Sequence, residues 1–105
     1  IFNVTINESL AVALLTNLLK NAFVHNIDGG HIRITVTKNS ITFRNSGVKN
    51  PLDKEHIFER FYQGTKKEGS TGLGLAIADS ICRLQHLSIR YYFEQKEHCF
   101  EISRQ

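Results

Sequence analysis

Between Leu10 and Ala22 an apolar residue returns every fourth position: Leu10, Leu14, Leu18, Ala22. At about 100° per residue this spacing draws one stripe along an α-helix, and the stripe has to be covered by something. Asn7 stands where a carboxamide can cap the first turn, so the expected helix runs from there to about His25. The period then changes from 3.6 to 2. "IRITVTKNSITFRNSG" alternates as a hairpin, with Ile32, Ile34 and Val36 along its first strand, Lys38 ending that strand and Asn39-Ser40 as the turn. Asp28-Gly29-Gly30, just before it, tolerates the positive φ of a tight reversal. A helix with one face to bury, followed at once by a half-buried hairpin, can only be satisfied by layers.

The remainder of the chain repeats the theme. "IFNVTI" alternates as a short strand, and "DKEHIFERFY" reads as one or two helical turns capped by Asp53. "QGTKKEGST" is polar, bears glycine and has no period, which predicts a mobile loop. "GLGLAIADSICRLQH" is a second amphipathic helix with Leu73, Ile77, Ile81 and Leu84 in its stripe, and "LSIRYYFEQ" and "HCFEISRQ" close as a hairpin across Lys96-Glu97. The order β-α-β-β-α-α-β-β predicts an α+β fold, a two-layer α/β sandwich with helices on one face of a mixed sheet. A chain of 105 residues has room for one hydrophobic core, so residues 1–105 are expected to form a single domain.

Several functions are excluded by what the chain lacks. No apolar run approaches the roughly 18 residues of a membrane span, and no signal peptide is visible. The net charge of +3 comes without a basic stripe or interleaved aromatics, which argues against a nucleic-acid partner. Cys82 and Cys99 match no metal or redox spacing and read as small core residues in a reducing compartment. The five histidines form no metal-binding pair, so a histidine or cysteine metal site is not expected. The absence of methionine and the abrupt start at Ile1 predict a piece of a longer protein.

Two features carry chemistry. Asn17 and Asn21 lie one turn apart in "NLLKNAFVHN", at the edge of the apolar stripe beside Leu10 and Leu14. Either they cap backbone groups in the core, or their two carboxamide oxygens converge on one place. Such oxygens suit a hard cation such as magnesium. The second feature is "GSTGLGLA". A P-loop would need Gly-Lys-Ser/Thr after its last glycine. A Rossmann turn would need a third glycine where Ile77 stands, and a strand before it. What survives is a glycine-bearing helix start, whose N–H groups and positive dipole end can face an anion. A plain loop-to-helix junction is the alternative.

Taken together, "NLLKNA", "NSG", "IFERFY" and "STGLGLAI", in that order and over nearly the whole chain, resemble the catalytic ATP-binding domain of bacterial sensor histidine kinases. That domain is part of the GHKL superfamily shared with DNA gyrase, mismatch-repair ATPases and heat-shock chaperones. The resemblance implies ATP and Mg2+ as ligands. It makes Asn21 the magnesium ligand and Asn17 its partner near the phosphates. Gly72 and Gly74 would lie against the phosphates, with Thr71 and Leu73 beside them. Phe58 and Phe61 would anchor a lid running from Gln63 to Ser70. The first glycine box departs from the family. In "NSGVK", Asn45 replaces the base-binding aspartate, Gly47 is kept, and Lys49 fills the second glycine position. Val24 and Gln63 occupy two usually basic positions, leaving Lys66, Lys67 or Arg60 to supply charge. A carboxamide at position 45 can accept from the adenine amino group and donate to the ring nitrogen. Flipped, it could meet guanine as well.

The implied activity is protein-histidine kinase, with this chain as the ATP-binding part. It would present the γ-phosphate of Mg-ATP to a histidine on the separate dimerisation domain of the same kinase, which then serves a response regulator. None of His25, His31, His56, His86 and His98 is followed by the phosphoacceptor pattern Glu/Asp-x-x-Thr/Asn. The setting implied is the cytoplasmic domain of a membrane-anchored kinase, with no membrane contact by the domain itself. The altered first glycine box and Gln63 leave a different class open, a degenerate domain acting as a regulatory or docking module.

Overall fold

A computed structural model describes residues 5–24, 29–47, 56–59 and 73–104. The elements are helix α1 (Glu8–Val24), strands β1 (Ile32–Val36) and β2 (Ser40–Asn45), helix α2 (Gly74–Leu84), and strands β3 (Leu87–Glu94) and β4 (Glu97–Arg104). The four strands form one sheet in the order β1-β2-β4-β3. Its three pairings are all antiparallel. Any parallel pairing of the expected mixed sheet would therefore involve residues outside those described. The strand expected at "IFNVTI" falls mostly there, and Thr5 and Ile6 are not in a strand.

The apolar stripe of α1 does what its spacing demands. Asn7 Oδ1 accepts from the Leu10 amide at 3.3 Å, and Leu14, Leu18 and Ala22 are buried with Leu10 packed partly against them. Across the sheet, Phe43, Phe100 and Tyr91 stand in register on the inner face, and Ile41, Ile102 and Ile89 form the next row. Burying a side chain the size of Leu18 or Ile102 stabilises by about 1.5–3 kcal/mol each, so this helix-to-sheet seam is the principal source of cohesion. Cys82 and Cys99 are both buried free thiols, as their spacing predicts. Desolvation pushes the Cys82 thiol up to about 11.

Three local expectations need correction. On α2 the buried residues are Ala78, Ile81 and Cys82, while Ile77 and Leu84 are exposed. The helix is rotated roughly 100° from the expected stripe because it packs against both α1 and the sheet, and the small residues Ala78 and Cys82 allow the closer approach. The first hairpin turns earlier than expected. The Thr37 hydroxyl accepts from the Asn39 and Ser40 amides at 3.2 and 3.0 Å, so β1 stops at Val36 and Ser40 already belongs to β2. The second hairpin turns at Gln95 and Lys96, with φ of 51° and 65°, and Glu97 opens β4 instead of occupying the turn. Two successive positive φ values match the twist of the flanking strands.

Of "DKEHIFERFY", residues 56–59 form a single turn in which the Glu59 amide donates to the His56 carbonyl at 2.9 Å. Asp53, its expected cap, lies outside the described residues, as does the stretch expected to be a lid.

Candidate functional site

Asn17 is carried on the flank of α1 by the same periodicity that buries Leu14 and Leu18. Its amide nitrogen donates to the Ala13 carbonyl at 2.8 Å, which fixes the carboxamide and turns its oxygen away from α1's own backbone. That oxygen faces the start of α2. A Cβ added to Gly74 would come within 3.2 Å of Asn17 Oδ1, closer than an ordinary van der Waals contact. A side chain at position 74 would therefore need the Asn17 carboxamide to give by a few tenths of an ångström. Asn21, one turn along and half-buried, shares this flank.

The first turn of α2 holds no acidic residue, and Leu73 at its N-cap makes no side-chain cap hydrogen bond. A helix start of this kind is electrostatically suited to an anion. Gly74, next to Leu73 at the helix N-cap, therefore stands beside Asn17, while Lys66, Lys67, Thr71 and Gly72 lie outside the described residues. Phe58 packs edge-to-face on Phe100, with centroids 6.1 Å apart, so the first phenylalanine of "FERFY" is anchored in the core. Phe61 is outside the described residues.

Asn45 ends β2 on the inner face, 2% exposed. Its Nδ2 donates to the Ser46 carbonyl at 2.7 Å. The opposite amide orientation would set Oδ1 against that carbonyl, acceptor against acceptor, so the flip is settled by the neighbouring backbone. The other polar atom of the carboxamide, Oδ1, is an acceptor like an aspartate oxygen. Gly47 is buried just beyond. On β4, His98 is the register partner of Asn45. Its Nδ1 lies 2.8 Å from the Tyr91 hydroxyl, and its ring stacks on Tyr91 and tilts against Phe93. Sequence reasoning passed over His98, and also His31, Ser46 and Glu97, because only strand register places them at this end of the sheet.

On the outer face at the same end, Glu97 is 4% exposed although it is charged. It accepts from Arg33 through Nε at 3.1 Å and Nη2 at 2.6 Å, and lies 2.6 Å from His31 Nε2. The Arg33 hydrogen bonds, reinforced by His31 against the cost of burial, hold its carboxyl below the ordinary value of 4.5.

The donor chemistry fits a magnesium-nucleotide ligand. Two carboxamides share a helix flank, a Cβ at Gly74 would crowd Asn17 Oδ1, and a helix N-terminus stands beside them. Among the described residues no group of three or more His, Cys, Asp or Glu gathers as a metal site, and a carboxamide oxygen is a hard donor that suits magnesium.

Comparison with known proteins gives an independent view. A family model described as histidine kinase-, DNA gyrase B-, and HSP90-like ATPase matches residues 6–103. The sensor histidine kinase RppB of Synechocystis sp. is 43% identical over 84 residues, covering 71% of this chain and 18% of that protein. The heme sensor protein HssS of Staphylococcus aureus is 39% identical over 90 residues, covering 81% of this chain and 20% of its own length. The chain thus spans about a fifth of the curated relatives it matches. Among solved structures, the catalytic domain of histidine kinase ThkA superposes with a TM-score of 0.77 at 26% identity, over 94% of this chain and 68% of that one. The mycobacterial sensor histidine kinase MprB gives 0.80 at 21% identity, over 96% and 77%, which is a likeness of fold.

Proposed function

The chain belongs to the histidine kinase-, DNA gyrase B- and HSP90-like ATPase family, and on that premise we propose that it is the ATP-binding catalytic domain of a sensor histidine kinase. In this reading it binds Mg-ATP and presents the γ-phosphate to a histidine on the dimerisation domain of the same kinase, for onward transfer to a response regulator. No helix among the described residues is long and apolar enough to cross a membrane, in keeping with a cytoplasmic placement of this part of a membrane-anchored kinase.

The observation that carries the reading is the 3.2 Å approach of Asn17 Oδ1 to the place where a Gly74 side chain would stand. It ties the asparagine flank of α1 to the start of α2, the two features that carry chemistry in the sequence. Phosphoryl transfer asks a protein mainly for positioning and charge neutralisation. Asn45 accepts from the adenine amino group and orients the base. Asn17 and the α2 N-terminus, with Leu73 and Gly74, would meet the phosphates, and the resemblance adds Thr71 and Gly72 to that set and Lys66 and Lys67 as positive charge. Asn21 would hold the metal through its carboxamide oxygen. Magnesium, when bound, supplies charge neutralisation across the phosphates.

Titrating ATP with and without magnesium tests this directly. Asn21→Ala should weaken Mg-ATP binding about tenfold or more and leave metal-free ATP nearly unchanged, since a group at the cavity edge contributes little packing. An equal loss in both conditions would make the residue structural.

A further inference from the structure

We propose that Glu97 and His31 are positioning residues for base recognition, acting through Ser46 on Asn45. The inference rests on the nucleotide reading above and adds to it a set of residues at the sheet end that do not touch the ligand.

Each link is a contact in the structure. Glu97 opens β4 and is buried on the outer face of the sheet. Its carboxylate is gripped by Arg33 through two nitrogens and by His31 Nε2 at 2.6 Å. His31 immediately precedes β1, and β2 lies between β1 and β4, so the contact reaches across a strand. The His31 backbone in turn brackets Ser46: its amide donates to Ser46 Oγ at 2.8 Å, and its carbonyl accepts from the Ser46 amide at 3.2 Å. The Ser46 carbonyl then accepts from Asn45 Nδ2 at 2.7 Å and sets which way the carboxamide faces. A charged group on one face of the sheet thus fixes a hydrogen-bond acceptor on the other.

The chemistry explains why the arrangement is a clamp. A buried carboxylate persists only where it is fully paired, and a bidentate arginine with a second donor meets that demand in one geometry. Glu97 therefore holds His31 in place, and the residue gripped is the one that holds Ser46. Beyond Asn45 the β2–β4 ladder has no further register pair, so at Ser46 this bracket takes the place of sheet pairing. Asn45 as a carboxamide has a donor to place, which an aspartate would not have. The Ser46 carbonyl is where that donor goes, and its position matters for this chain in particular.

Equilibrium binding of ATP, GTP and inorganic triphosphate, each with magnesium, to the parent, Glu97→Gln, His31→Ala and His31→Gln proteins tests the proposal. His31 is largely exposed, so its variants should fold even if Glu97→Gln does not. Glu97→Gln and His31→Ala should lose about tenfold in ATP affinity and narrow the ATP-to-GTP ratio, with triphosphate binding unchanged. His31→Gln, which keeps a donor for Glu97, should recover most of the loss. Unchanged ATP affinity in His31→Ala overturns the proposal, as does a proportional loss for ATP and triphosphate, which would mean general destabilisation. A parent protein that binds no ATP overturns the nucleotide reading and this inference with it, whereas a parent that binds ATP beside unaffected variants overturns this inference alone.

Discussion

At the scale of single residues, the site depends on groups too small or too fixed to be exchanged. Gly74 is the sharpest case, because the nearest atom to an added methyl is the Asn17 carboxamide oxygen and not a flexible chain end. Asn17 is tethered by its own bond to Ala13, so it can yield only by loosening that bond. Gly74→Ala is therefore expected to reduce ATP affinity several-fold while changing stability by less than about 1 kcal/mol, since alanine's better helix propensity offsets part of the crowding. Calorimetric titration beside thermal unfolding separates the two effects. An unaltered affinity would mean that the cradle at Gly74 does not face the ligand. Asn45 teaches a related lesson. Taken alone, its carboxamide could face either way, and one backbone carbonyl decides between the two orientations.

The elements show how a charged end can be built on a thin sheet. The inner face of β2, β3 and β4 is apolar except at the end that carries Asn45 and His98, and it meets the helices. The outer face carries ion pairs, among them Arg44 with Glu94 and Arg90 with Glu101. Those pairs have at least one well-exposed partner and contribute little each. Glu97 differs because it is buried. Its folded carboxyl titrates below the ordinary 4.5, chiefly through the Arg33 hydrogen bonds. A group whose value is depressed on folding adds stability above its unfolded value and loses it as pH falls through the folded one. The parent should therefore lose unfolding temperature more steeply than Glu97→Gln as pH falls below the ordinary carboxylate value of 4.5. Parallel slopes for the two proteins would show that the β1–β4 clasp does not depend on that charge.

For the whole molecule, the point at issue is the division of labour. The helix flank, the helix start and the strand end hold a nucleotide in this reading, and the phosphoacceptor belongs to another domain. The chain by itself should bind ATP and show almost no self-phosphorylation, while the intact kinase should label a histidine outside residues 1–105. Acid-labile phosphate mapped to His25, His31, His56, His86 or His98 would contradict that division. His98 sharpens the test, because it sits beside Asn45 in register yet is buried between Tyr91 and Phe93 and cannot be presented to a γ-phosphate without unpacking the sheet.

What the sequence determined by itself was whatever rests on local periodicity and on the choice of residue type. The α1 stripe with its Asn7 cap, both hairpins, the buried cysteines and the flank shared by Asn17 and Asn21 all follow from spacing along the chain. The order of its four motifs likewise pointed to the family. Tertiary structure decided what depends on which surface an element meets. Whether α2 buries Ile77 or Ala78 is set by the combined footprint of α1 and the sheet, and helical period cannot distinguish two faces about 100° apart when both carry apolar residues. Turn positions shifted by one or two residues because a threonine hydroxyl and a pair of positive φ angles closed the hairpins. The clamp from Glu97 through His31 to Ser46 was invisible for a simpler reason. Glu97 is 66 residues from His31 along the chain, and only the strand order β1-β2-β4-β3 brings them within hydrogen-bonding distance.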